Sequence, residues 1–306
     1  MTGPHARTPL VRSMPGEVRN RAPVWLKCEN LQPTGSFKLR GMGALADEAL
    51  RAGASELFSS SGGNAGYAVA YAGALLGLPV TVVVPRRTDA RMKELIGATG
   101  ASVVVHGEVW DEAHAHAQTL AERARAPLVH PFDHPTVWSG HATMVHECAT
   151  AMPRPPEVVV VAVGGGGLLC GVLQGLHDVG WTKAEVLAVE TEGAASYAAA
   201  VGAGAAVTLD GIDSLALTLG AKRVCDEAVA WTERHPITPW TCSDADAVAA
   251  CARFLDEHRM LVEPSCGAAL SAVGGPTEGR ETLVIVCGGA AVTRSQLADW
   301  MAQTSR

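Results

Sequence analysis

Short apolar runs alternate with longer Ala-rich stretches over almost the whole chain. The runs at 24–27, 57–59, 80–84, 102–105, 128–130, 158–163, 186–189 and 283–287 each have the length of one strand. The Val-rich ones lack polar alternation, so they are expected to be buried on both faces. Stretches with helical character lie between them, for example 65–76 and 244–258. This order predicts an α/β fold with a mainly parallel sheet. The periodic pattern breaks at His130-Pro131-Phe132-Asp133-His134-Pro135, which marks a boundary near 131–133. No internal repeat or low-complexity linker stands out.

Composition narrows the class of protein. The chain has 306 residues, 48% of them hydrophobic, enough for one large domain or two moderate ones. The net charge of -7 comes from a mixed surface without a basic run, which argues against a nucleic-acid partner and gives no electrostatic reason for membrane binding. The first residues hold no apolar core of signal-peptide length, and the longest apolar runs are far too short to span a bilayer, so a cytoplasmic location is expected. Eight cysteines form no C-x-x-C pair and sit mostly in apolar segments, as buried reduced thiols do. Eleven histidines are scattered, and His114 and His116 would face different sides of a helix. No metal-binding motif of the H-E-x-x-H or C-x-x-C type is present.

Candidate chemistry falls in four loops. Pro33 and Gly35 form a turn, Ser36 is a suitable helix N-cap, and Lys38 follows just inside the predicted helix. The positive helix end disfavours an ammonium there. With an ordinary lysine pKa only about one amine in a few thousand is free at neutral pH, so chemistry requires desolvation or a neighbouring cation. A solvated first-turn lysine would have the same local sequence. The loop Ser59-Ser60-Ser61-Gly62-Gly63-Asn64-Ala65-Gly66 precedes a long Ala-rich helix, and its small residues and uncapped N–H groups suit a carboxylate. An ordinary strand-to-helix turn is the competing reading. Four glycines, Gly164, Gly165, Gly166 and Gly167, follow the most hydrophobic run and make a nest for a phosphate. They are neither a nucleotide P-loop nor a G-x-G-x-x-G fingerprint, because Leu169 and Cys170 stand where the last glycine is needed. Glu190, after the next run, keeps a weak oxidoreductase reading open. Cys287 ends a run leading into Gly288 and Gly289, a place where simple packing is the usual role of a cysteine.

Taken together, PTGSFKLRG, SSSGGNAG, GGGGLLCG and VCGG resemble, in order and spacing, the serine/threonine dehydratases. These are fold-type-II, tryptophan-synthase-β-like pyridoxal-phosphate enzymes. HPFDHPTVWSGHAT and GGGGLLCGVLQGL look like the L-serine dehydratase branch. The resemblance runs from about Thr8 to the C-terminus. It implies two domains, each a mainly parallel sheet flanked by helices: a large cofactor-binding domain at 1–41 and 134–306, and a small domain at 42–133. It implies that Lys38 is the Schiff-base lysine, beside Phe37, and also the base for the α-proton. Ser61, Gly62, Gly63, Asn64 and Ala65 would hold the substrate, with Ser61 on its carboxylate and Asn64 against the cofactor's 3-hydroxyl. Gly164 to Gly167 with Leu168 would hold the phosphate of pyridoxal 5'-phosphate. Cys287 would meet the pyridine nitrogen as a neutral partner, a weaker electron sink than an aspartate would give, which favours prompt loss of a β-leaving group.

The same resemblance implies a monovalent-cation site, potassium being the candidate, at Gly164, Glu190, Ala194, Ser196, Leu219 and Ala221. The segment LVEPSCGAA at 261–269 is expected to be structural, near the ring. A homodimer acting on a small amino acid, L-serine and possibly L-threonine, follows from the family. Serine racemase is the nearest rival, but its second acid/base would fall at Gly62. A β-replacement enzyme of the same fold and a weakly catalytic amino-acid-binding regulator also stay open. The chain departs from the family pattern at Ala290, Ala195 and a short 273–282 segment. No appended regulatory module is expected after Cys287.

Overall fold

A computed structural model describes residues 3–304; the remaining ends of the expected large domain, residues 1, 2, 305 and 306, lie outside them. The strands are β1 (Leu10–Arg12), β2 (Val24–Cys28), β3 (Leu57–Ser59), β4 (Val80–Val84), β5 (Ser102–Val105), β6 (Val158–Ala162), β7 (Glu185–Thr191), β8 (Ile237–Cys242) and β9 (Thr282–Val286). The helices are α1 (Met14–Asn20), α2 (Lys38–Arg51), α3 (Asn64–Leu76), α4 (Ala90–Ala98), α5 (Trp110–Ala124), α6 (Pro135–Ala151), α7 (Gly167–Asp178), α8 (Ser196–Ala203), α9 (Asp226–Ala230), α10 (Asp244–His258), α11 (Pro264–Ser271) and α12 (Arg294–Thr304).

Two sheets result. The larger runs β1-β2-β9-β6-β7-β8 and the smaller β3-β4-β5. Every pairing is parallel except that of β1 with β2. The all-apolar β6 and the nearly all-apolar β9 sit at the centre of the larger sheet with every residue buried, as strands covered by helices on both faces require. The functional loops all leave the carboxyl ends of strands: β3 runs to Ser60, β6 to Gly164, β7 to Glu192 and β9 to Cys287. In open α/β sheets this is the end at which ligands bind.

Several sequence expectations are corrected. Residues 128–130 form no strand; Leu128 makes a single parallel bridge to Phe58, because His130 and Pro131 turn the chain away. Val-rich β5 is exposed at both ends, since it is an edge strand with β4 on one side only. Strands β1 and β8 were not anticipated: β1 is very short, and β8 carries Pro239, which an edge strand tolerates. Ser36 is not the cap of α2. Phe37 holds the N-cap position, while Ser36 bridges to Gly288 and its buried hydroxyl has no partner.

The start of α2 is fixed by a buried charge cluster. The Arg40 guanidinium donates to Glu29 at 2.7 and 2.8 Å and to Glu147 at 2.7 and 2.8 Å. Lys27 pairs with Glu147 and donates to the Thr8 carbonyl at 2.7 Å, and Gln32 donates to Glu29 at 3.1 Å. Arg40 and Glu29 are fully buried, so two cations and two carboxylates hold β2, α2 and α6 together two residues from Lys38.

Candidate active site

Lys38 is the first residue of α2 and its amine is drawn inward. Nζ donates to the Pro131 carbonyl at 2.6 Å and lies 5.2 Å from the centre of the Phe37 ring. Burial pulls the lysine pKa down to about 8, against the opposing fields of Cys287 and Glu263. The turn before it is clamped to the end of β9: Phe37 N donates to Cys287 O at 3.0 Å and Gly289 N to Gly35 O at 3.0 Å. Cys287 is thereby brought beside the lysine. A hydrogen bond with Cys266 and then burial push its thiol well above the usual range, so it is neutral.

Two helices begin at this place without a side-chain cap. Helix α3 starts after Gly63 and α7 after Gly166, and each leaves first-turn N–H groups available to an anion. Gly166 has φ +92°, which only glycine adopts without strain, and a Cβ on Gly165 would meet the Phe132 ring at 2.5 Å. In the serine loop, Ser61 Oγ accepts from Gly63 N at 3.3 Å, leaving its own hydroxyl hydrogen free to donate. Asn64 is held from both sides: Nδ2 donates to Glu263 Oε1 at 2.9 Å and Oδ1 accepts from Ala290 N at 3.2 Å. Ala65 follows in the first turn of α3.

Some participants were not singled out in the sequence. Glu263, assigned only to a structural segment, bridges Asn64 and the Thr218 hydroxyl, the latter at 2.8 Å. Burial pushes its carboxyl up to about 7, against Thr218, Asn64 and Lys38. A carboxylate inside an otherwise uncharged 261–269 segment was the available signal. Ser60 Oγ shares a hydrogen bond with His114 Nδ1 at 2.8 Å, tying α5 to the loop. His141 packs edge-on against Phe37 at 4.8 Å; burial, then Lys38 and Arg40, keep it neutral, and neither ring nitrogen is paired. The sequence held no clue to this packing.

Of the cation-loop residues, Gly164 lies against Leu219, where a Cβ would come 3.1 Å from the Leu219 Cα. Both Glu190 oxygens accept N–H groups at the start of α8, from Tyr197 at 2.7 Å and Ala198 at 2.8 Å. Burial nevertheless pushes the Glu190 carboxyl up to about 7. Ser196 has a buried hydroxyl without a partner, Ala194 is buried, and Ala221 N donates to Leu219 O at 2.8 Å. No helix is long and apolar enough to cross a membrane, and no cluster of His, Cys, Asp and Glu of metal-binding type occurs, among the described residues.

The site has relatives. A human protein named serine dehydratase-like is 44% identical over 305 residues, covering 96% of this chain and 93% of that one. The human L-serine dehydratase/L-threonine deaminase is 42% identical over 306 residues, covering 96% and 93%. The crystal structure of a fungal L-serine ammonia-lyase from Rhizomucor miehei superposes with a TM-score of 0.93 at 34% identity, covering 99% of each chain. The family model described as pyridoxal-phosphate dependent enzyme matches residues 1–288, so the chain belongs to the pyridoxal-phosphate-dependent enzymes of this fold.

Proposed function

We propose that this protein is an ammonia-lyase that converts L-serine, and also L-threonine, to pyruvate or 2-oxobutanoate and ammonia by α,β-elimination. The observation that carries this reading is a half-buried lysine of lowered pKa near two uncapped helix N-termini, one suited to a phosphate and one to a carboxylate. Pyridoxal 5'-phosphate fits these residues, and when bound it supplies the aldehyde and the electron sink for the carbon chemistry.

In this account Gly164, Gly165, Gly166, Gly167 and Leu168 would hold the phosphate, Phe37 would lie against the ring, and Cys287 would face its nitrogen as a neutral thiol. Ser61, Gly62, Gly63, Asn64 and Ala65 bind and orient the amino acid through its carboxylate, with Ser61 donating its hydroxyl. Lys38 anchors the cofactor and then, as a free amine, takes the proton from the α-carbon. The partly buried Glu263 fixes Asn64. Glu190, Ala194, Ser196, Gly164, Leu219 and Ala221 form the candidate potassium site; the buried, unpaired Ser196 hydroxyl supports a cation there. The domain division at 42–133, a cytoplasmic location and a homodimer complete the proposal.

Racemisation requires a second acid/base on the face opposite the lysine. Gly62 offers none, and a Cβ at that position would lie 2.5 Å from Thr88 Oγ1 and 2.8 Å from its methyl carbon. Incubation with L-serine and L-threonine, scored for keto acid and for D-amino acid, tests the reading. Keto acid with little D-isomer is expected; D-serine accumulating as fast as pyruvate would overturn it.

A further inference from the structure

The proline-punctuated segment that breaks the sequence pattern passes through the site. Pro131 receives the Lys38 amine, and the next residue, Phe132, abuts the glycine nest. His130 stands immediately before them and has no assigned role. Its Nδ1 accepts two backbone N–H groups, from Asp133 at 2.8 Å and from Phe132 at 3.4 Å. A ring nitrogen that accepts carries no hydrogen, so the hydrogen of the neutral ring is on Nε2. Nε2 meets no protein acceptor among the described residues, and the ring is half-buried. Burial, then His114, Lys38 and His134, pull the pKa down to about 4, so the ring is a fixed neutral donor and does not act as an acid near neutral pH.

The other groups already have tasks. The start of α3 and Ser61 take the carboxylate, Lys38 works at the α-carbon, and the start of α7 takes the phosphate. No side chain has yet been assigned to orient the β-hydroxyl oxygen, and His130 is on the segment that joins the lysine to the nest. We propose that His130 is a substrate-contacting residue whose Nε2–H hydrogen-bonds the β-hydroxyl oxygen of the amino acid and stabilises it as the C–O bond breaks, its electron pair leaving with the oxygen, which departs as water with the proton that Lys38 took from the α-carbon. The inference rests on the β-elimination reading. A donor aimed at the oxygen on which charge develops acts most strongly in the transition state, so its loss falls on kcat.

Two substitutions separate this role from simple turn formation. In His130→Asn the side-chain oxygen can still accept the two backbone N–H groups, as in an Asx turn, while the Nε2 donor is gone. In His130→Gln an amide N–H is placed near the Nε2 position. Each is assayed with L-serine and with β-chloro-L-alanine, whose chloride leaves without a hydrogen-bond donor. His130→Asn is expected to lose roughly 10- to 100-fold in kcat on serine, the size expected for deleting one well-aligned hydrogen bond. Turnover of chloroalanine should stay within about twofold of wild type, and His130→Gln should recover part of the serine rate. The serine-to-chloroalanine ratio is independent of how much protein folds. An unchanged ratio in His130→Asn, whether both rates hold or both fall, makes His130 a turn residue only and overturns the proposal. Failure of the wild type on both substrates would instead defeat the lyase reading itself.

Discussion

At the scale of single residues, the outcome depends on what surrounds the half-buried Lys38. Its local sequence is equally that of a solvated helix-start lysine, and only contacts from distant segments, Pro131, Cys287 and Glu263, decide otherwise. The pKa falls from 10.5 to about 8, so the charged form is the disfavoured one and the free amine appears about 2.5 pH units earlier than on an ordinary lysine. At pH 7 roughly a tenth of the side chain is then the nucleophilic amine. The rate at which apoprotein captures pyridoxal phosphate should therefore rise with pH through about 8 and level off above it. Stopped-flow absorbance checks this, and a rate still climbing towards pH 10 would show an unshifted lysine. Ser36 marks the limit of local reading. Its type suits a cap, yet the pairing with Gly288, set by β9 far along the chain, takes it out of that role.

At the scale of elements, the strand-helix alternation was legible because buried parallel strands are continuous apolar runs. Edge strands are not: β8 mixes Thr, Pro and Trp, and β5 looks like a core strand although one side has no neighbour. The loops at the ends of β3 and β6 were readable because small residues before a helix have a direct physical use. The placement of α2 was not readable, since it depends on the Arg40 cluster, whose four charged members are dispersed from Lys27 to Glu147. Arg40→Met removes one charge from this buried set and leaves Glu29 with only Lys27, 3.9 Å away, as a counter-charge. The expected loss is about 3–5 kcal/mol of folding stability, measured by urea unfolding. A loss below about 1 kcal/mol would mean that the cluster does not hold the start of α2.

At the scale of the whole molecule, segments far apart in the chain, among them those of Lys38, Asn64, Pro131, Glu263 and Ala290, meet in one candidate site. Composition and periodicity carry no information on that meeting; the order and spacing of four motifs do. The homodimer proposed from family resemblance predicts a solution mass twice that of the 31.7 kDa chain, and sedimentation at the single-chain mass would refute it. Central to the whole account is one lysine that both anchors the cofactor and moves the α-proton. The most direct test compares pyruvate formation from L-serine by the wild type and by Lys38→Ala, each incubated with pyridoxal phosphate and scanned for bound-cofactor absorbance. The wild type should show the band and form pyruvate, while Lys38→Ala should lose the band and at least about a thousandfold in rate. A Lys38→Ala protein that keeps both would contradict the account.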